Sequence, residues 1–185
     1  MKKTSTKNLV LSALFLALGL LLPFLTGQIP QIGSMLLPMH IPVLLCGLVC
    51  GWEYGMAVGF VAPLLRSVLF GMPPMFPTAI SMALELAAYG AIIGLVYATF
   101  RRQNIAALYV SLISAMLGGR VVWGVAQVVL LGLTDSYFGW RMFIVGAFTN
   151  AIPGIILQLI LIPAVMVALE RLGVVKFRGK NTVQR

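Results

Sequence analysis

Residues 77–100 read PTAISMALELAAYGAIIGLVYATF, twenty-four residues that carry one charge, Glu85. As an α-helix rising ~1.5 Å per residue, such a run is long enough to cross the ~30 Å hydrocarbon core of a bilayer. Two other apolar runs are interrupted in the same way, 55–70 by Arg66 and 105–131 by Arg120. An ionised side chain at membrane depth costs about 2.5 kcal/mol or more on insertion scales, so such groups line cavities, pair with one another or hold solutes. The three charges therefore point to a site inside a membrane-embedded bundle.

Working outward, hydrophobic residues make up 61% of the 185-residue chain and charged residues 9%. Mean hydropathy is +1.04. This is the composition of an integral membrane protein, with room for about six spans of ~20 residues and short loops. The expected spans are 8–25, 39–50, 55–70, 77–100, 105–131 and 142–172, an all-α transmembrane domain over residues 1–173 followed by a basic tail, 174–185. The second span is short. The third stops at Gly71-Met72-Pro73-Pro74, where proline forbids further helix. Pro153 and Pro163 fall inside the sixth and predict a kink. The first run follows Lys2, Lys3 and Lys7, but it is long for a signal segment, lacks a small-x-small cleavage site and precedes further spans, so it reads as a retained helix.

Basic residues orient the bundle. Three precede the first span, Arg101 and Arg102 separate the fourth and fifth, and Arg171, Lys176, Arg178, Lys180 and Arg185 end the chain. These clusters share one side only if even numbers of spans separate them, as six spans allow. The positive-inside rule then places both termini in the cytoplasm. The same flanking pattern explains the pI of about 10.2 without a nucleic-acid patch. Cys46 and Cys50 have no His or further Cys at metal-ligand spacing and read as small buried hydrophobes.

Polar residues recur at helical spacing: Thr78, Ser81, Glu85 and Tyr89; Arg120, Trp123 and Gln127; Asn150, Gly154 and Gln158. In the derived orientation all three stripes lie in the outer half of the membrane, with Arg66 and His40 at matching depth. One stripe suggests helices bonding across a bundle. Three at one depth suggest a water-accessible cavity open to the outside, capped by Gly/Pro-rich loops bearing Gln28, Gln31 and Ser34, then Met72 and Phe76, then Asp135, Tyr137 and Trp140. Blander readings coexist: Glu85 neutralises Arg120 or Arg66, Arg66 snorkels to headgroups, and His40 caps a helix. The cations outnumber Glu85, which favours a carboxylate- or phosphate-bearing solute, with Arg120 its foremost contact and Glu85 the partner of that arginine. With no Walker A sequence, HExxH or nucleophile constellation, an enzyme is not expected, and no cofactor is implied.

The first span places Ala13 and Ala17 one turn apart, a small-xxx-small pair that permits close helix approach. Together with 36–44 (LLPMHIPVL), 63–67 (PLLRS) and 71–77 (GMPPMFP), this pair makes most of the chain resemble the substrate-binding S components of energy-coupling factor (ECF) vitamin transporters of bacterial cell membranes. The resemblance implies six spans with both ends inside and a solute site toward the outside. It also implies an Ala13/Ala17 face for a transmembrane coupling subunit driven by two cytoplasmic ATPases, and delivery by toppling. Pantothenate-like or pyridoxine-like solutes would suit the charge and the aromatic loops. A self-contained carrier coupled through Glu85 and a purely structural assembly subunit are the alternatives.

Overall fold

The computed structural model describes residues 6–26, 29, 33, 35–101, 103–133, 139–173 and 175, with the backbone alone at 147 and 148. Lys2, Lys3, Gln28, Gln31, Ser34, Arg102, Asp135, Tyr137 and the tail residues Lys176, Arg178, Lys180 and Arg185 lie outside the described residues. Within them the chain is helical, without strands: α1 Thr6–Leu21, α2 His40–Cys50, α3 Trp52–Phe70, α4 Ile80–Thr99, α5 Ile105–Gly132, α6 Trp140–Ile144 and α7 Ile152–Arg171.

Five helical stretches are long and apolar enough to cross a membrane: Thr6–Leu25, Trp52–Phe70, Met75–Thr99, Ile105–Gly132 and Ile152–Arg171. The protein is accordingly a multi-pass integral membrane protein. α2 is different. Its 11 residues extend only ~16 Å, and ten of them are buried. It is an apolar core helix wedged against α1, α3 and α4. Large side chains stand exposed along α1 and α5, among them Val10, Leu14, Val121 and Val125, as a lipid-facing surface requires.

Glycine lets the backbones at the centre approach closely. A Cβ on Gly90 would fall on the backbone of Gly55, and one on Gly59 on the backbone of Leu86, so α3 and α4 touch main chain to main chain. Gly47 of α2 meets Gly90 in the same way. Around this contact Val43, Leu44, Leu86, Ile93, Leu108 and Leu112 are sealed from solvent.

Two segment ends matter for the site. α3 ends where expected: Gly71 takes the left-handed conformation (φ 69°) and its N–H bonds to Ser67 O. The expected sixth span, 142–172, is not one helix. It breaks into α6, a wide turn over Val145–Thr149 and α7. Pro153 sits in the first turn of α7, where its missing N–H costs nothing, so the chain breaks ahead of it where a kink was expected. Asn150 consequently precedes the helix that carries Gly154 and Gln158 and is exposed, so the predicted 150–154–158 stripe does not form.

Candidate functional site

α4 and α5 run antiparallel and are joined by two polar contacts. Ser81 Oγ donates to Thr78 O (2.9 Å) and accepts from Gln127 Nε2 (3.2 Å). One turn further along α4, Glu85 Oε1 accepts from Arg120 Nη1 at 2.8 Å. Glu85 is 2% exposed and Arg120 5%, so the pair is fully desolvated.

His40 completes this cluster from the start of α2. Leu37 adopts a left-handed backbone (φ 51°), rare for a residue with a Cβ. The turn it creates is closed by His40 N–H donating to Leu37 O (3.1 Å). The imidazole then stands with Nε2 3.5 Å from Glu85 Oε1, within electrostatic reach but without a hydrogen bond. Tyr89, one turn beyond Glu85, braces it edge-on, with ring centroids 4.9 Å apart. Tyr89 lies flat where Gly119 has no side chain, since a Cβ there would overlap its ring.

Arg66 is placed separately. Its Nη1 donates to Leu20 O at 2.7 Å, and its guanidinium lies 5.0 Å from the Phe24 ring and 5.4 Å from that of Phe70. Those rings meet edge-on, so Arg66 is held between α1 and α3 by a main-chain acceptor and two π-faces. No carboxylate pairs with it among the described residues.

These groups border one cavity of about 510 Å³, within the range of small-molecule sites. Its polar wall is His40, Arg66, Thr78, Glu85, Arg120 and Gln127, with Trp123 alongside. The apolar wall comes from Leu37, Pro38 and Met39 before α2, Met72, Pro73 and Pro74 after α3, and Met82 of α4. Trp123 stacks on Phe143 of α6 (6.2 Å), which stacks on Trp140 (5.4 Å). Among the described residues, His40 Nδ1 and Nε2 and Arg120 Nε and Nη2 are buried without a protein hydrogen-bond partner. Buried polar groups are nearly always bonded, so these nitrogens, on residues that line the cavity, are left uncompensated by the protein.

The structure thus brings together eight of the residues singled out from sequence, His40, Arg66, Met72, Thr78, Glu85, Arg120, Trp123 and Gln127. Ser81 and Tyr89 stand behind the wall, bonded to Gln127 and braced against His40. Gln158 is buried on α7 but does not line the cavity, and Asn150 is exposed ahead of α7 and does not line it either. Sequence reasoning missed Leu37, Met39 and Met82. For Met82 the signal was present, because 78, 82 and 85 share a helix face as well as 78, 81 and 85 do. Leu37 and Met39 are positioned by the left-handed turn before α2, for which apolar sequence offers no cue.

A family model described as "ECF transporter, substrate-specific component" matches residues 7–166. Searches of curated proteins and of solved structures return no match.

Proposed function

The chain belongs to the substrate-specific components of ECF transporters, and on that footing we propose that it captures a small, vitamin-like anionic solute from outside the cell. Members of this family are transport subunits rather than enzymes, and they work with the other ECF subunits. We read α2 together with the helical turn ahead of it as the sixth crossing. The charge parity of the flanking basic residues puts both termini in the cytoplasm of a bacterial cell and opens the cavity outward.

The observation that carries this reading is the Glu85–Arg120 ion pair in the cavity wall. Apolar replacements of a buried pair are often as stable or more so, so stability is weak reason to keep charges in a membrane core. Here the pair leaves Arg120 Nε and Nη2 unbonded next to space for a guest. Arg120, His40, Arg66, Gln127 and Trp123 would contact the solute, with Glu85, Ser81 and Tyr89 holding them in place. Gln158 and Asn150 have no such support from their positions.

Energy would come from two cytoplasmic ATPases through a transmembrane coupling subunit docked on α1. That helix turns Ser12, Phe15 and Gly19 inward. Ala13 and Ala17 stay exposed on its outer face. The test is co-purification: Ala13→Trp should abolish assembly with a coupling subunit while leaving solute-induced thermal stabilisation, screened against B vitamins, intact. Normal assembly of the variant would count against the docking face. Uptake into liposomes by the purified protein alone would favour a self-contained carrier instead.

A further inference from the structure

Resting on that reading of the cavity, we infer the charge class of its solute: a monocarboxylate whose anion docks on Arg66 and whose hydrogen-bond-accepting end meets Arg120 and His40. Sequence alone offers both Arg66 and Arg120 to the solute and ranks Arg120 as the foremost anion contact. The fold separates them. Arg120 lies against Glu85 at 2.8 Å, so its charge is already matched. Arg66 has no carboxylate partner among the described residues, yet it is 3% exposed and borders the same cavity. Among the described residues, Arg66 is thus the cation of this wall without a carboxylate partner.

That count selects among anions. A carboxylate brings one negative charge, whereas a phosphate monoester brings about 1.5 to 2 at neutral pH. The excess would be buried uncompensated at membrane depth, where unpaired charge is strongly disfavoured. A neutral solute would leave Arg66 as the uncompensated group. Arg66 is also ordered in advance: the Leu20 carbonyl fixes one nitrogen and Phe24 and Phe70 clamp the plane, so little freedom is lost when an anion arrives.

The second station is distinct in chemistry. Arg120 Nε and Nη2 are donors without charge to spare, and they match a carbonyl or hydroxyl oxygen. His40, with both nitrogens unbonded, adds one donor and one acceptor when neutral. The same wall includes Leu37, Met72, Pro73 and Met82, which suits a compact apolar body.

The experiment uses the full chain, purified in mild detergent, with probes that differ in one group. These are nicotinate against nicotinamide, pantothenate against panthenol, and pyridoxal against its 5′-phosphate. Melting-temperature titrations give affinity, and solute retained through purification is released and its charge class read by mass spectrometry. An acid should stabilise the protein at least about tenfold more tightly than its neutral partner, as expected when a buried cation is left unpaired. Arg66→Gln should remove that preference, and Arg66→Lys should keep part of it. The unliganded melting temperatures of both variants show whether the fold survives, and the released wild-type solute answers independently of either.

A retained monocarboxylate supports the inference. A neutral or phosphorylated solute, or phosphate binding that is lost in His40→Gln, overturns the charge count but leaves the transport reading standing. No retained solute and no response to any probe would overturn both solute capture and its charge class. Loss of coupling-subunit assembly bears only on the former reading.

Discussion

Glu85 Oε1 lies 2.8 Å from Arg120 Nη1 and 3.5 Å from His40 Nε2, inside a wall with almost no solvent. Removing one member of such a pair strands the other, which typically costs about 3–5 kcal/mol, whereas removing both costs far less. Glu85→Gln is therefore expected to lower the thermal melting point sharply. The double variant Glu85→Gln with Arg120→Gln should recover most of it while losing solute stabilisation. Equal melting of Glu85→Gln and wild type would mean that the pair is solvated. The charges themselves were legible as interruptions of apolar runs. Their pairing was only favoured: helical spacing put Glu85 and Arg120 on stripes of adjacent segments, but Arg66 lay at matching depth and stayed open as a partner. Only the contacts of Arg66 with Leu20, Phe24 and Phe70 take it out of reach of Glu85.

At the scale of elements, the cavity depends on α4 being held in register between α3 and α5. On the α3 side this rests on glycine: Gly55 and Gly59 face Gly90 and the Leu86 backbone, and Gly94 meets the backbone of Trp52. Gly90→Val should separate the helices and destabilise by about 1–3 kcal/mol, the usual cost of overpacking. Gly132→Ala, where an added Cβ meets nothing, should be neutral or slightly stabilising. Denaturation of the two variants side by side checks this. The spacings 55–59 and 90–94 stand in the sequence as plainly as Ala13 and Ala17 do, but spacing does not say which pair meets a helix of the same chain. The Ala13 and Ala17 pair stays exposed. At the other end of the chain, Pro153 was read as a kink and proved to be a helix start, because proline is accommodated in a first turn more easily than in an interior.

At the scale of the molecule, the proposed capture of external solute requires that the cavity open to the outside. Cys46 and Cys50 are buried, so the native thiols give a quiet background for labelling. Phe76→Cys, in the exposed turn before α4, should react with a membrane-impermeant maleimide in intact cells. Arg101→Cys, exposed beyond the far end of α4, should react only after permeabilisation. The reverse pattern would invert the bundle and close the cavity to the outside. Family membership over residues 7–166 accounts for the transport role, but it does not determine the solute.

By itself the sequence determined what solvent and geometry impose locally: a membrane-embedded helical chain, most span positions, the α3 stop at Gly71 and the residues that are costly to bury. These follow from hydropathy, proline and glycine, which act within a few residues of where they stand. Tertiary structure decided which charges meet. Glu85 and Arg120 are 35 positions apart, and Arg66 and Leu20 are 46. Such pairs depend on how helices rotate and approach, and here that rests on backbone contacts at Gly55 and Gly90, on Tyr89 lying over Gly119 and on the left-handed turn at Leu37. A pattern of side chains along one helix encodes a face, but the partner of that face is chosen by the packing of the whole bundle.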